Sequence, residues 1–128
     1  MLLLLGAASQ AQTPKTGDDV SQFRRRMANL PPVQRLKLLS EYSRDLTNQS
    51  RFKEARALMQ EGLAIARQAQ IADWTARFYA RLGFLESNLG NHIGAIDYGL
   101  QALAIAQSVY AYDLQQLISF NLYAEYEA

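Results

Sequence analysis

Cysteine is absent from the 128 residues, so the chain has neither a disulfide framework nor thiol chemistry. Histidine occurs once, as His92, and without cysteine it has no companions to converge on a metal; it reads as a packing residue at a helix corner. An excess of either charge is lacking too. Thirteen Lys and Arg face twelve Asp and Glu, which gives no basic field of the kind nucleic acid requires. Missing as well are a Gly-rich phosphate loop, a nucleophile elbow and an HExxH run. The carboxylates are scattered along polar faces, and Glu54 and Asp97 read as ordinary exposed charges, so no buried pair is set up for acid–base work. No catalysis and no cofactor is expected. Proline, at three, and glycine, at seven, are scarce while Ala and Leu dominate, and that balance favours helix.

The one concentrated apolar run opens the chain, "MLLLLGAASQAQTPKTG", and it is far too short to span a bilayer. Leucines followed by small residues, with Ser9 and Ala11 three and one positions before a cut, look like the tail of a signal peptide. Residues 1–11 are therefore expected to direct export, placing the protein in a bacterial periplasm or cell envelope. Residues 12–31, with Pro14, Thr16, Gly17 and Asp18, read as a linker. Arg24, Arg25 and Arg26 beside Phe23 and Met27 read as a solvated helical face.

What the sequence does hold is a repeated phrase. "GLAIARQ" (62–68) returns as "ALAIAQS" (102–108), and a shift of forty also pairs Ala55 with Ala95, Asp73 with Asp113 and Leu82 with Leu122. Ala55, Leu58, Met59, Gly62, Leu63 and Ala66 fall on one helical face, and Ala95, Tyr98, Gly99, Ala102, Leu103 and Ala106 repeat its spacing. Leu36, Leu39, Tyr42 and Leu46 mark a helix before the first stripe. Phe78, Tyr79, Leu82 and Leu85 mark one before the second, and Leu114, Leu117, Ile118 and Leu122 begin a third. Pro31 and Pro32 suit a first helical turn, Gly90 a left-handed helix end, and Ser50, Asn91, Asp73 and Asp113 the N-cap positions, with Gln116 completing a capping box on Asp113. Five helices follow: about 32–48, 51–70, 73–89, 91–109 and from 113 onward. Hairpins that each carry one apolar stripe bury it only by stacking, so the fold expected is all-α, a right-handed α-solenoid of antiparallel hairpins with about two and a half repeats over 32–128.

"YARLGFLESNLGNHIGAIDYGLQALAIAQ" (79–107) resembles a tetratricopeptide repeat, through Leu82-Gly83 in the first helix, Gly90 at the turn, and Ala95 and Ala102 in the second. Phe52, Ala55 and Gly62 hold the second-helix places of the earlier copy, with Ser43 where the first-helix glycine belongs. The period is forty rather than the usual thirty-four, which is similar to the longer repeats of bacterial regulators and kinesin-light-chain-like proteins. "NLYAEYEA" (121–128) resembles the first helix of a further repeat that continues beyond the chain end. Its apolar stripe is expected to be covered by more of the array or by self-association through the last helix.

The resemblance implies a protein- or peptide-binding module, a scaffold or adaptor, whose first helices line a groove. Those faces carry Lys37, Ser40, Arg44 and Asn48, then Arg77, Ala80, Arg81, Phe84 and Asn88: a basic groove with an aromatic shelf, suited to an acidic partner. A more ordinary reading pairs Asp73 with Arg77 and leaves Arg81 solvated. Ser40 and Leu117 stand where the carboxylate clamp of chaperone-binding relatives needs polar or basic groups, which argues against a chaperone-tail receptor. The alternative role is the N-terminal sensory array of a larger signalling protein, such as an envelope histidine kinase or a transcription regulator.

Overall fold

In the computed structural model, residues 17–109 and 111–127 are described, and their regular structure consists of six helices. These are α1 (Gly17–Met27), α2 (Pro32–Asn48), α3 (Phe52–Gln68), α4 (Ala72–Asn88), α5 (His92–Ser108) and α6 (Tyr112–Glu127). The proposed signal peptide, residues 1–11, lies outside the described residues. Each helix packs on the next from α2 onward, and α4 also touches α2 and α6. The first helices of the hairpins (α2, α4, α6) thus form one layer and the second helices (α3, α5) the other. The chain is an all-α solenoid.

The forty-residue period has a local cause. Helices α2 to α5 are each 17 residues long, and three-residue connections join them. The middle residue of each described connection adopts a left-handed conformation: Ser50 at φ 61°, Gln70 at 58° and Gly90 at 78°. Around each, the chain doubles back the same way. The amides of Arg51, Ile71 and Asn91 reach the carbonyls of Leu46, Ala66 and Glu86 at 2.8–2.9 Å, which satisfies orphan carbonyls at the helix end.

The helix starts need two corrections. Ser50 is not an N-cap; it is the left-handed residue that closes α2, and Arg51 stands at the cap position, its side chain paired with Glu54 rather than capping the helix. Asp73 and Asp113 are the second residues of α4 and α6, two positions past the cap, so Asp113 and Gln116 make no capping box. From there Asp73 still favours the positive end of its helix. Asn91 does cap, its Oδ1 accepting from the Gly94 amide at 3.1 Å, and Pro31 and Pro32 open α2.

A helix also stands inside the segment read as linker. Val20, Phe23 and Met27 are buried, Phe23 meets the ring of Tyr42 with centroids 3.8 Å apart, and Arg24 Nε pairs with Glu61 at 3.1 Å. Helix-breaking composition masked three apolar residues at i, i+3 and i+7, the spacing of a helix with one face to bury. α1 covers the N-terminal end of the array and turns Ser21, Gln22, Arg25 and Arg26 outward.

The core explains the repeated phrase. Gly62 leaves room for Phe78, which is fully buried; a β-carbon at Gly62 would lie 2.3 Å from that ring. Forty residues on, Ala102 and Ile118 hold the same two places in a second buried cluster with Leu114 and Leu122. The phrase is thus the small-residue stripe on which the next first helix seats its large side chain. His92 departs from its expected packing role. It is half exposed, and its Nδ1 lies 2.7 Å from Glu125 Oε2, tying α6 to the start of α5. Hydrogen bonds from Ser87 and His92 hold the Glu125 carboxyl below its ordinary pKa.

Candidate functional site

A cleft of about 310 Å³ opens on the face made by the first helices. Ser40 comes from α2, Trp74, Arg77, Ala80, Arg81 and Phe84 from α4, and Leu114, Leu117 and Asn121 from α6. Positions 74, 77, 81 and 84 form one stripe of α4, which is why a single helix supplies most of the wall. Phe84 and Leu117 are each 55% exposed, a large apolar surface left open to solvent on both sides of the arginines.

The two arginines in this cleft differ. Arg77 Nε bonds Asp73 Oδ2 at 3.0 Å, one turn back, and its guanidinium lies over the Trp74 ring at 5.7 Å. Both members of that pair are about half exposed, so it contributes little to stability. Arg81 is not solvated as the ordinary reading had it. Its Nε donates to Ser40 Oγ at 2.8 Å, and among the described residues no carboxylate reaches ion-pair distance of its guanidinium. Burial lowers its pKa, repulsion from Arg44 and Arg77 lowers it further, and Glu41 only partly opposes them. The cleft therefore holds a cation that is partly desolvated and has no anion.

Of the residues expected in the groove, Ser40, Arg77, Ala80, Arg81 and Phe84 come together in this cleft. Arg44 acts on Arg81 through its charge but lines a separate cleft between α1 and α2, with Phe23, Arg26, Glu41 and Tyr42. Lys37, Asn48 and Asn88 are exposed and line neither cleft. Sequence reasoning missed Trp74 and Asn121. Trp74 was open to discovery, because it lies one turn before Arg77 on the same stripe. Asn121 was not singled out, although it holds in α6 the place that Arg81 holds in α4.

Residues 37–69 and 75–113, more than half of the chain, match the family model of the tetratricopeptide repeat. The chain belongs to the tetratricopeptide repeat family. The first match spans most of α2 with α3, and the second spans most of α4, all of α5 and the start of α6. Tetratricopeptide repeats suggest a module that binds proteins, and the family is generally non-catalytic. No curated protein matches the chain significantly. Among the described residues, no cluster of three or more His, Asp and Glu is placed to hold a metal, and no helix is long and apolar enough to cross a membrane.

Proposed function

We propose that this tetratricopeptide repeat chain is a non-catalytic module that takes up an extended segment of a partner protein, with an acidic side chain of that segment on Arg81. The observation that carries the reading is the unmatched, partly buried Arg81 guanidinium between Trp74, Phe84 and Leu117. A guanidinium offers five N–H donors, of which the Nε goes to Ser40, so the fork of terminal nitrogens suits a carboxylate. The flanking apolar walls give the neighbouring side chains of a peptide something to cover, and Asn121 can pair with its backbone. Selection of displayed random heptapeptides against the immobilised chain should enrich Asp and Glu, beside an apolar residue. Selected sequences without acidic enrichment would contradict the reading.

We also propose that the module is exported. The leucine run and the Ser9-Gln10-Ala11 site support export, with residues 1–11 removed. Mass spectrometry of the protein from its native host should find Gln12 at, or close to, the N-terminus. Met1 retained on cytoplasmic protein would refute it.

A further inference from the structure

The two junctions of the array fill equivalent positions differently. Between α2, α3 and α4 these positions carry Met59, Ser43 and Leu85, all buried. Forty residues on, between α4, α5 and α6, the same three carry Gly99, Gly83 and Glu125. Leu122 leans toward Gly99, where a β-carbon would lie 2.6 Å from it. A pocket of about 80 Å³ nevertheless stays open beside them. Its exposed lining residues, Phe84 of α4 and Ala124 of α6, mark the mouth. Ala124 stands where α4 carries Phe84, so α6 offers a methyl group in place of a ring that could close it.

This pocket joins the Arg81 cleft. Ala80, Phe84 and Asn121 line both, so a segment lying in the cleft passes the mouth. Chemistry and size restrict what enters. Apart from Ser87, Asn121 and Glu125 the lining is apolar. Glu125 is already met by His92 and Ser87, so it calls for no cation. An apolar cavity of ~150 Å³ takes benzene, and about half of that suits a branched aliphatic side chain rather than a ring. The first junction meets the same need from within, with the aliphatic side chain of Met59.

We propose that this pocket selects a small branched aliphatic side chain, valine above all, in the segment whose acidic residue Arg81 holds. The inference rests on the Arg81 reading and adds a spacing to it. Arg81 and Phe84 stand three residues apart on α4, about 4.5 Å along its axis, and the pocket lies past Phe84 toward α6. In an extended segment, side chains on one side recur every second residue, about 6.6–6.8 Å apart. The aliphatic residue therefore stands two positions from the acidic one.

Selection from displayed heptapeptides with Glu fixed at the centre tests the proposal. The full chain should enrich Val two residues from that Glu, on one side of it, and deplete Phe, Tyr and Trp there. In calorimetry on a selected peptide, exchanging this Val for Ala should weaken binding about 10-fold, through the loss of two buried methyl groups. Exchanging it for Phe should weaken binding at least as much. Ala124→Leu narrows the mouth from an exposed position and keeps a good helix former there. This variant should bind the Val and Ala peptides alike, yet still lose affinity when the Glu is exchanged for Lys. Urea unfolding checks that it folds as the parent does. A demand for Glu with no preference two residues away would overturn the pocket and leave the Arg81 reading standing, as would a Val preference unchanged in Ala124→Leu. Binding indifferent to the exchange of Glu for Lys would overturn both.

Discussion

Replacing Phe78 by Ala should lower the unfolding free energy by about 3–5 kcal/mol, the range for removing a fully buried aromatic ring. Phe78 is 0% exposed and seals the slot that Gly62 leaves, where the cores of the two hairpins meet. The sharper form of this prediction uses the chain's own second solution to the same problem. The α3–α4 junction pairs Gly62 with Phe78, whereas the α5–α6 junction sets Ala102 and Ile118 at the equivalent positions. Gly62→Ala alone raises helix propensity by about 1 kcal/mol but drives a methyl into an immobile ring, so a net loss of about 1–3 kcal/mol is expected. Phe78→Ile alone leaves a void beside glycine and also destabilises. The double variant imports the second pairing into the first junction, where the new methyl fills part of the new void. Its loss should be at least ~1 kcal/mol smaller than the sum of the two single losses. Urea unfolding of the four proteins measures this. Strict additivity would mean that the two side chains do not share one packing site.

Arg81→Met should separate binding from folding. The substitution removes a partly buried cation whose charge no described carboxylate offsets and keeps a long apolar stem in its place. The hydrogen bond to Ser40 is lost with it, and the two effects oppose one another. The unfolding free energy should therefore stay within about 1 kcal/mol of the parent. Affinity for an acidic peptide should fall at least ~30-fold, because a carboxylate that gives up its hydration for a charged partner loses ~2 kcal/mol or more without it. Arg77→Met should cost binding less, since Asp73 already holds that guanidinium in place. Calorimetry for binding and urea titration for stability provide the two readings. Equal losses from the two variants would remove the distinction drawn between the arginines.

Much of this was legible in the sequence, because stacking imposes a strict period. Stripes forty residues apart, Gly90 at a left-handed position and Asn91 after it locate the turns and helices to within two residues. The turn at 48–52 misled because Ser50 carries out a role that glycine performs at 90, and serine is also a good cap. α1 was hidden by the polar composition around three apolar residues. The site was legible only in part. A helical stripe says which residues share a face, but the cleft forms only where three neighbouring first helices meet, around α4. Asn48 and Asn88 are the last residues of their helices and so miss it, and Lys37, one turn before Ser40 on α2, does not line it either. Nor does a periodic pattern reveal which of two arginines on a face keeps its charge unmatched. That depends on Asp73 standing four residues before Arg77, while Arg81 finds only the Ser40 hydroxyl across the interface.

Trp74 is the only tryptophan and lines the cleft, so its emission reports occupancy there without a label. The most direct measurement titrates the parent chain and Arg81→Glu with an acidic peptide from the display selection, and with the same peptide carrying Lys for its acidic residue. Expected are a saturable change in Trp74 emission for the parent with the acidic peptide and at least ~30-fold weaker binding by Arg81→Glu. The Lys peptide should reverse this order. An acidic peptide that binds both proteins equally, or that binds without moving the Trp74 signal, would contradict the claim that this cleft reads its partner through Arg81.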